Sequence, residues 1–232
     1  MPEAAKPLPG AAELLGRLAH SYARVAVLSG RPVAFLSEQL AGPGAGGIEL
    51  FGLYGMERGR NLDDGTVAVE ESEAATAWRG VLSGVASDAH SAAPPGVTVE
   101  HKGLAVTIHY RRAPEHASWA TGFADESARR TGLSAHPGKM SVELRPPVGN
   151  DKGTIVEEQS TGLRAVFFAG DDIGDLPAFE ALARLRATGV TVCSVAVAGA
   201  ETPPEVIGAA DALVEGPDGL LVLLAGLLPE TG

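Results

Sequence analysis

Residues 167–175, FFAGDDIGD, set three carboxylates close together directly after an apolar segment. Asp171 and Asp172 are adjacent, and Asp175 lies one helical turn further on. Like charges this close are costly unless a cation sits among them. Mg²⁺ prefers oxygen ligands and often takes only one or two protein carboxylates, with water and a substrate phosphate completing its octahedron. The spacing therefore predicts a strand end that delivers Asp171 as the direct metal ligand, with Asp172 and Asp175 completing or orienting the shell. The competing reading is an acidic loop in which Asp172 or Asp175 caps a helix starting near Leu176.

Two further runs supply complementary chemistry. In residues 26–32, AVLSGRP, an apolar strand ends in a hydroxyl, a glycine and an arginine. In residues 150–156, NDKGTIV, Lys152 and Gly153 stand at the start of an expected helix. Ser29 and the Gly30 amide can donate to phosphate oxygens, Lys152 can offset the charge of substrate and carboxylates, and a metal can polarise the phosphoryl group. Together they describe a site for phosphoryl transfer from a monoester. Arg31 reads as a support for its loop rather than a substrate contact. The histidines are scattered without metal-ligand spacing, and none is assigned to a metal.

The order SGR, K-x-x-x-E at Lys139 and Glu143, DKG, then GDD-x-x-D resembles the haloacid dehalogenase-type phosphatases. More narrowly, the runs PLPGAAELLGRLA, VAVLSGRP, GLYGMER, HKGLAVTIHYR, GKMSVELRPPVGNDKG and FFAGDDIGDLPAFEAL resemble the bacterial trehalose-6-phosphate phosphatases. The resemblance covers essentially the whole chain. It implies a Mg²⁺-dependent enzyme of trehalose synthesis that works through an aspartyl phosphate. It also implies sugar contacts from Lys102 and Glu57. Lys139 and Glu143 are four apart, and on one extended strand their side chains share a face suited to sugar hydroxyls. A phosphatase for another sugar phosphate and a non-catalytic sugar-phosphate binder stay open beside this reading.

Such enzymes carry their nucleophile in an apolar strand ending D-x-D-G-T, and no run of this chain reads so. Asp63-Asp64-Gly65-Thr66 is superficially similar, but polar residues precede it, and it reads as a hairpin turn. The expectation is therefore either a truncated start or a lost nucleophile. In both cases these 232 residues alone are expected to be loosely packed and inactive.

Positioning these groups requires a parallel sheet, whose ligands bind at the carboxyl ends of its strands. The expected elements are a helix over 11–22, a strand at 25–28 buried on both faces, a helix over 32–40 and a strand at 48–53. The middle of the chain reads differently. A polar, alanine-rich helix covers 69–89, and alternating strands over 97–111 kink at Gly103. A helix follows over 114–131, then an alternating strand at 140–144. After Lys152 come a helix from Gly153, a strand at 165–168, a helix over 176–185 and strands at 190–197 and 209–214. A last helix covers 219–228. The fold class is α/β: a Rossmann-like parallel core of residues 1–70 and 148–232, lacking its first strand, with an α/β cap of residues 71–147 inserted.

Composition bounds the alternatives. At 45% hydrophobic the chain can bury a sizeable core. Its net charge of −11 argues against a general nucleic-acid binder, which needs a basic face. The single cysteine, Cys193, forms no intrachain disulfide and is expected in the core. No segment is long enough for a membrane span, the first residues show no charged-then-apolar leader, and a cytoplasmic protein is the expectation. The expected partner is a small-molecule sugar phosphate, with neither nucleic acid nor membrane; the oligomeric state is left open.

Overall fold

Apolar runs of strand length, separated by helices with one apolar face, dictate a layered α/β chain. A computed structural model describes residues 6–40, 42, 44–61, 66–148, 151–200 and 202–229. The chain divides into two compact units, residues 1–70 with 150–232, and residues 71–149.

The first unit opens with α1 (Ala11–Ser21), β1 (Ala26–Leu28), α2 (Val33–Leu40), β2 (Glu49–Gly52) and β3 (Glu57–Asn61), and β4 (Val67–Glu71) leads out of it. These strands form one sheet in the order β1-β2-β3-β4, with β1 and β2 parallel and β3 antiparallel to β2. Val33, Leu36 and Leu40 on one face of α2 pack with Ile48 and Leu50.

The second unit contains α3 (Glu73–Thr76), α4 (Arg79–Ala92), β5 (Thr98–His101), β6 (Val106–His109), α5 (Ala117–Thr131), β7 (Ser134–Gly138) and β8 (Ser141–Arg145). Its sheet runs antiparallel in the order β5-β6-β8-β7. Val106, Ile108, Val142 and Leu144 face Leu82, Val85 and Ala89 of α4 and Ala120 and Ala124 of α5. By the period of two, Thr107, His109, Ser141, Glu143 and Arg145 take the opposite face.

The first unit resumes with α6 (Lys152–Gln159), β9 (Ala165–Gly170), α7 (Leu176–Ala187), β10 (Thr191–Ala198), α8 (Pro204–Ala209), β11 (Ala212–Glu215) and α9 (Gly216–Gly226). Here the strands are parallel in the order β11-β10-β9. Val156, Ala178, Ala181 and Leu182 pack beneath Val166 and Phe168, and Phe168 meets Phe179 edge-on at 5.4 Å.

Several sequence expectations change. The helix expected over 69–89 starts later, because residues 67–71 pair as β4 and a break at Ala77 and Trp78 separates α3 from α4. The polar run 57–61 is a strand, β3, held by pairing rather than by hydrophobic pattern. The strand at 25–28 is half-buried rather than buried on both faces, since β1 pairs only with β2 among the described residues. Cys193 is exposed, not in the core: strand alternation turns it away from the face that packs Val192 against α7. Pro204 at the first helical position starts α8, which the sequence reading missed. The hairpin expected at Asp63, Asp64 and Gly65 lies outside the described residues.

Candidate active site

The acid loop follows β9 directly. Asp175 is 3% exposed and ion-pairs with Lys152, the first residue of α6. Its other oxygen, Oδ2, accepts the backbone N–H groups of Asp171 at 2.9 Å and Asp172 at 3.0 Å. Gly170 makes this fold-back possible, because a Cβ there would lie 2.5 Å from the Asp175 Cγ. Asp172 Oδ1 accepts from the Ile173 N–H at 2.6 Å and closes a capping box with Asp175. The capping reading thus describes part of the cluster: Asp172 and Asp175 cap the short helical turn ahead of α7.

Asp171 differs. It is exposed, and its backbone N–H is one of the two that donate to Asp175. Partial burial of the carboxylate, then the charges of Asp175 and Asp172, push its pKa above the ordinary value, with Lys152 pulling the other way. A divalent cation would relieve that crowding. Among the described residues, no three His, Cys, Asp or Glu side chains converge to enclose an ion. A site with one or two carboxylates suits Mg²⁺, which keeps several waters, better than a metal needing a full protein cage.

The serine loop follows β1. The Ser29 N–H donates to Phe51 O at 2.9 Å, and Ser29 Oγ accepts the Arg31 N–H at 3.1 Å, which leaves the hydroxyl proton for a ligand. The Arg31 guanidinium lies 5.0 Å over the Phe35 ring, a cation–π contact. Glu57 is buried and its Oε2 accepts the Val33 N–H at 2.7 Å, so it caps α2 just beyond the loop. Gly153 lets α6 approach α7 closely, since a Cβ there would sit 2.4 Å from Pro177 O.

One residue to which the sequence reading gave no role stands between both loops. A Cβ on Gly30 would lie 2.7 Å from the Tyr54 hydroxyl, and a Cβ on Gly174 would lie 3.8 Å from Tyr54 Cε1. Tyr54 has φ 57° and follows Leu53 at φ 48°. Left-handed backbone at non-glycine residues costs about 1–3 kcal/mol each, and such strain concentrates at functional sites. That signal is torsional and has no trace in residue type.

In the second unit, Glu143 is 7% exposed and saturated. Oε1 accepts Lys102 Nζ at 2.8 Å and Thr107 Oγ1 at 2.9 Å, and Oε2 accepts Arg145 Nε at 2.8 Å and Nη2 at 2.7 Å. Burial alone would raise this carboxyl, but Lys102 and Arg145 outweigh it and hold the pKa below the ordinary value. His136, opposite Glu143 on β7, is lowered by burial and then by Arg145. Lys139 is not on the strand of Glu143. It lies in the two-residue turn between β7 and β8, where Met140 takes φ 52°. Their spacing of four residues therefore gives no shared strand face; Lys102 and Arg145 are the cations the fold brings to Glu143.

An open concavity of about 580 Å³, lined by residues 163–165 and 188–191, lies at the start of β9 and β10. That is the opposite end of those strands from Asp171, and no carboxylate lines it.

A serine loop and an acid loop thus follow the carboxyl ends of parallel strands, with a lysine bound to the acid loop, in an α/β unit. Solved structures share the fold. A trehalose-6-phosphate phosphatase related protein aligns with TM-score 0.77 at 23% identity, over 98% of this chain and 90% of its own. The C-terminal domain of Candida albicans trehalose-6-phosphate phosphatase aligns with TM-score 0.70 at 23% identity, over 98% and 87%. The family model described as trehalose-phosphatase matches residues 1–204, and the chain belongs to that family. The trehalose-phosphate phosphatase of Mycobacterium marinum is 34% identical over 191 residues, 78% of this chain and 47% of the relative. That of Mycobacterium leprae is 32% identical over 206 residues, 82% of this chain and 46% of the relative. The chain spans about half the length of these curated relatives.

Proposed function

We propose that the protein acts in Mg²⁺-assisted removal of phosphate from trehalose 6-phosphate. The observation that carries this reading is the division of labour in the acid loop: Asp175 neutralised by Lys152, Asp171 exposed and crowded by negative charge. Asp171 would hold the metal, with Asp172 behind it. The ion would polarise the phosphoryl group and neutralise charge that develops on its oxygens. Ser29 Oγ and the Gly30 N–H donate to phosphate oxygens. Lys152, fixed by Asp175, adds positive charge beside them. The attacking carboxylate is not assigned to a residue of this chain. Sugar selection falls to the polar face of the second unit's sheet. Because Glu143 already accepts from three side chains, it acts by orienting Lys102 and Arg145, whose N–H groups meet sugar hydroxyls. Lys139 and Glu57 follow as outer contributors, Glu57 through the serine loop it braces.

Calorimetric titration tests the reading. Trehalose 6-phosphate should bind more tightly than inorganic phosphate in the presence of Mg²⁺, and EDTA should weaken both. Lys102→Ala should erase most of the trehalose 6-phosphate advantage, roughly tenfold, while sparing inorganic phosphate. Equal affinity of the wild-type protein for the two ligands would remove the sugar half of the proposal; indifference to EDTA would remove the metal half.

A further inference from the structure

The segment between β2 and β3 is tied to the serine loop, packs on the lysine helix and faces the acid loop. Leu53, Tyr54 and Gly55 all have positive φ, at 48°, 57° and 87°. The serine loop holds the turn on one side: Leu53 N–H donates to Arg31 O and Tyr54 N–H to Ser29 O, each at 3.0 Å. The lysine helix holds it on the other, where a Cβ on Gly55 would lie 2.8 Å from Ile155 Cδ1 of α6. Leu53 is 1% exposed and anchors the turn in the interior. Held this way, the strained backbone aims the half-buried Tyr54 ring at Gly30 and Gly174. Any side chain at Gly30 would collide with the phenol, so the glycine there accommodates the ring as well as a ligand.

We propose that Tyr54 is a positioning residue, whose ring sets the separation between the phosphate donors of the serine loop and the acid loop bearing Asp171. The inference rests on the phosphate and metal roles proposed above and adds a group that couples them. A phosphate bridging Ser29 and a cation on Asp171 needs the two loops at a fixed spacing. Tyr54 packs on Gly30 of one loop and faces Gly174 of the other, from a turn that is itself tied to the backbone of the serine loop and packed on the helix of Lys152.

Coupling between two ligands reads this directly, since each must tighten the other by the same factor. Mg²⁺ affinity would be titrated with and without saturating inorganic phosphate, for the wild-type chain, Tyr54→Phe and Tyr54→Gly, beside thermal melts. Glycine accepts φ 57° without strain, so Tyr54→Gly should melt at or above the wild-type temperature. It should nonetheless lose most of the coupling, about tenfold, while Mg²⁺ affinity without phosphate stays within about twofold. Tyr54→Phe keeps the ring and should keep the coupling. Full coupling in Tyr54→Gly overturns the inference alone. So does a uniform drop in melting temperature and both affinities, which would mark a merely structural residue, or a Tyr54→Phe protein that behaves as Tyr54→Gly. A wild-type protein in which phosphate and Mg²⁺ bind without mutual effect overturns the site reading itself.

Discussion

Asp175 gives its two oxygens to Lys152 and to two backbone amides, whereas Asp171 is exposed beside two like-charged neighbours, with Lys152 as the opposing charge. Four positions apart, identical side chains stand in opposite surroundings, because one is neutralised and the other is not. Folding raises the Asp171 pKa, so the folded state holds that proton more tightly than the unfolded chain does. The ionised group lowers stability above its raised pKa, and the loss is recovered as pH falls through that value toward the unfolded one. Asp171→Asn should therefore raise the melting temperature of metal-free protein at neutral pH, with the gain shrinking as the pH enters the carboxylate range. The same variant should lose the stabilisation that Mg²⁺ confers on the wild type. Melting curves with and without Mg²⁺ check both; a less stable variant that still responds to Mg²⁺ would contradict the assignment.

At the scale of elements, glycines separate packing from propensity. Gly153 lets the start of α6 press on α7 and carry Lys152 to Asp175, and a Cβ there would reach 2.4 Å from Pro177 O. Gly84 sits within α4 with nothing within 4 Å of a built Cβ. Gly153→Ala should destabilise by about 1–3 kcal/mol through overpacking. In a chain of this size that is roughly 2–4 °C per kcal/mol. Gly84→Ala should stabilise by about 0.5–1 kcal/mol, since alanine loses less freedom in a helix. Urea unfolding of the two variants gives the comparison, and equal shifts would mean that the α6–α7 approach is not limiting.

For the molecule as a whole, the first unit carries two separate sheets, with β1 at the end of one and β9 at the end of the other. Each end strand is apolar in sequence yet mostly half-buried, and each is paired on one side only among the described residues. Such edges present unpaired N–H and C=O groups. Hydrogen exchange should therefore be fast at every second amide of β1 and β9, and slow throughout β10, which pairs on both sides. Uniformly slow exchange along β1 and β9 would show that both edges are covered in solution.

The strands and helices that bear Ser29, Lys152 and Asp171 were legible in residue order, because apolar runs and turn residues act locally and leave their period in the sequence. So was the change to alternating strands in the middle of the chain. Residue spacing alone could not decide which groups meet. Lys139 and Glu143 were expected to share a strand face, yet a turn at Met140 separates them; Arg145 meets Glu143 two residues along β8, and the turn after β5 brings Lys102. Cys193 looked like core because its run is apolar, but exposure depends on which face of β10 is covered. The polar strand β3 was hidden because pairing, not hydrophobicity, holds it. Tyr54 was legible only as part of the run GLYGMER, without a role, since its place depends on left-handed torsions and on segments more than twenty and more than one hundred positions away. Sequence by itself determined the local elements and the chemical types at their ends; the tertiary structure decided which of those groups are neutralised, which stay exposed and what holds them together, because charge pairing and packing are properties of neighbours in space.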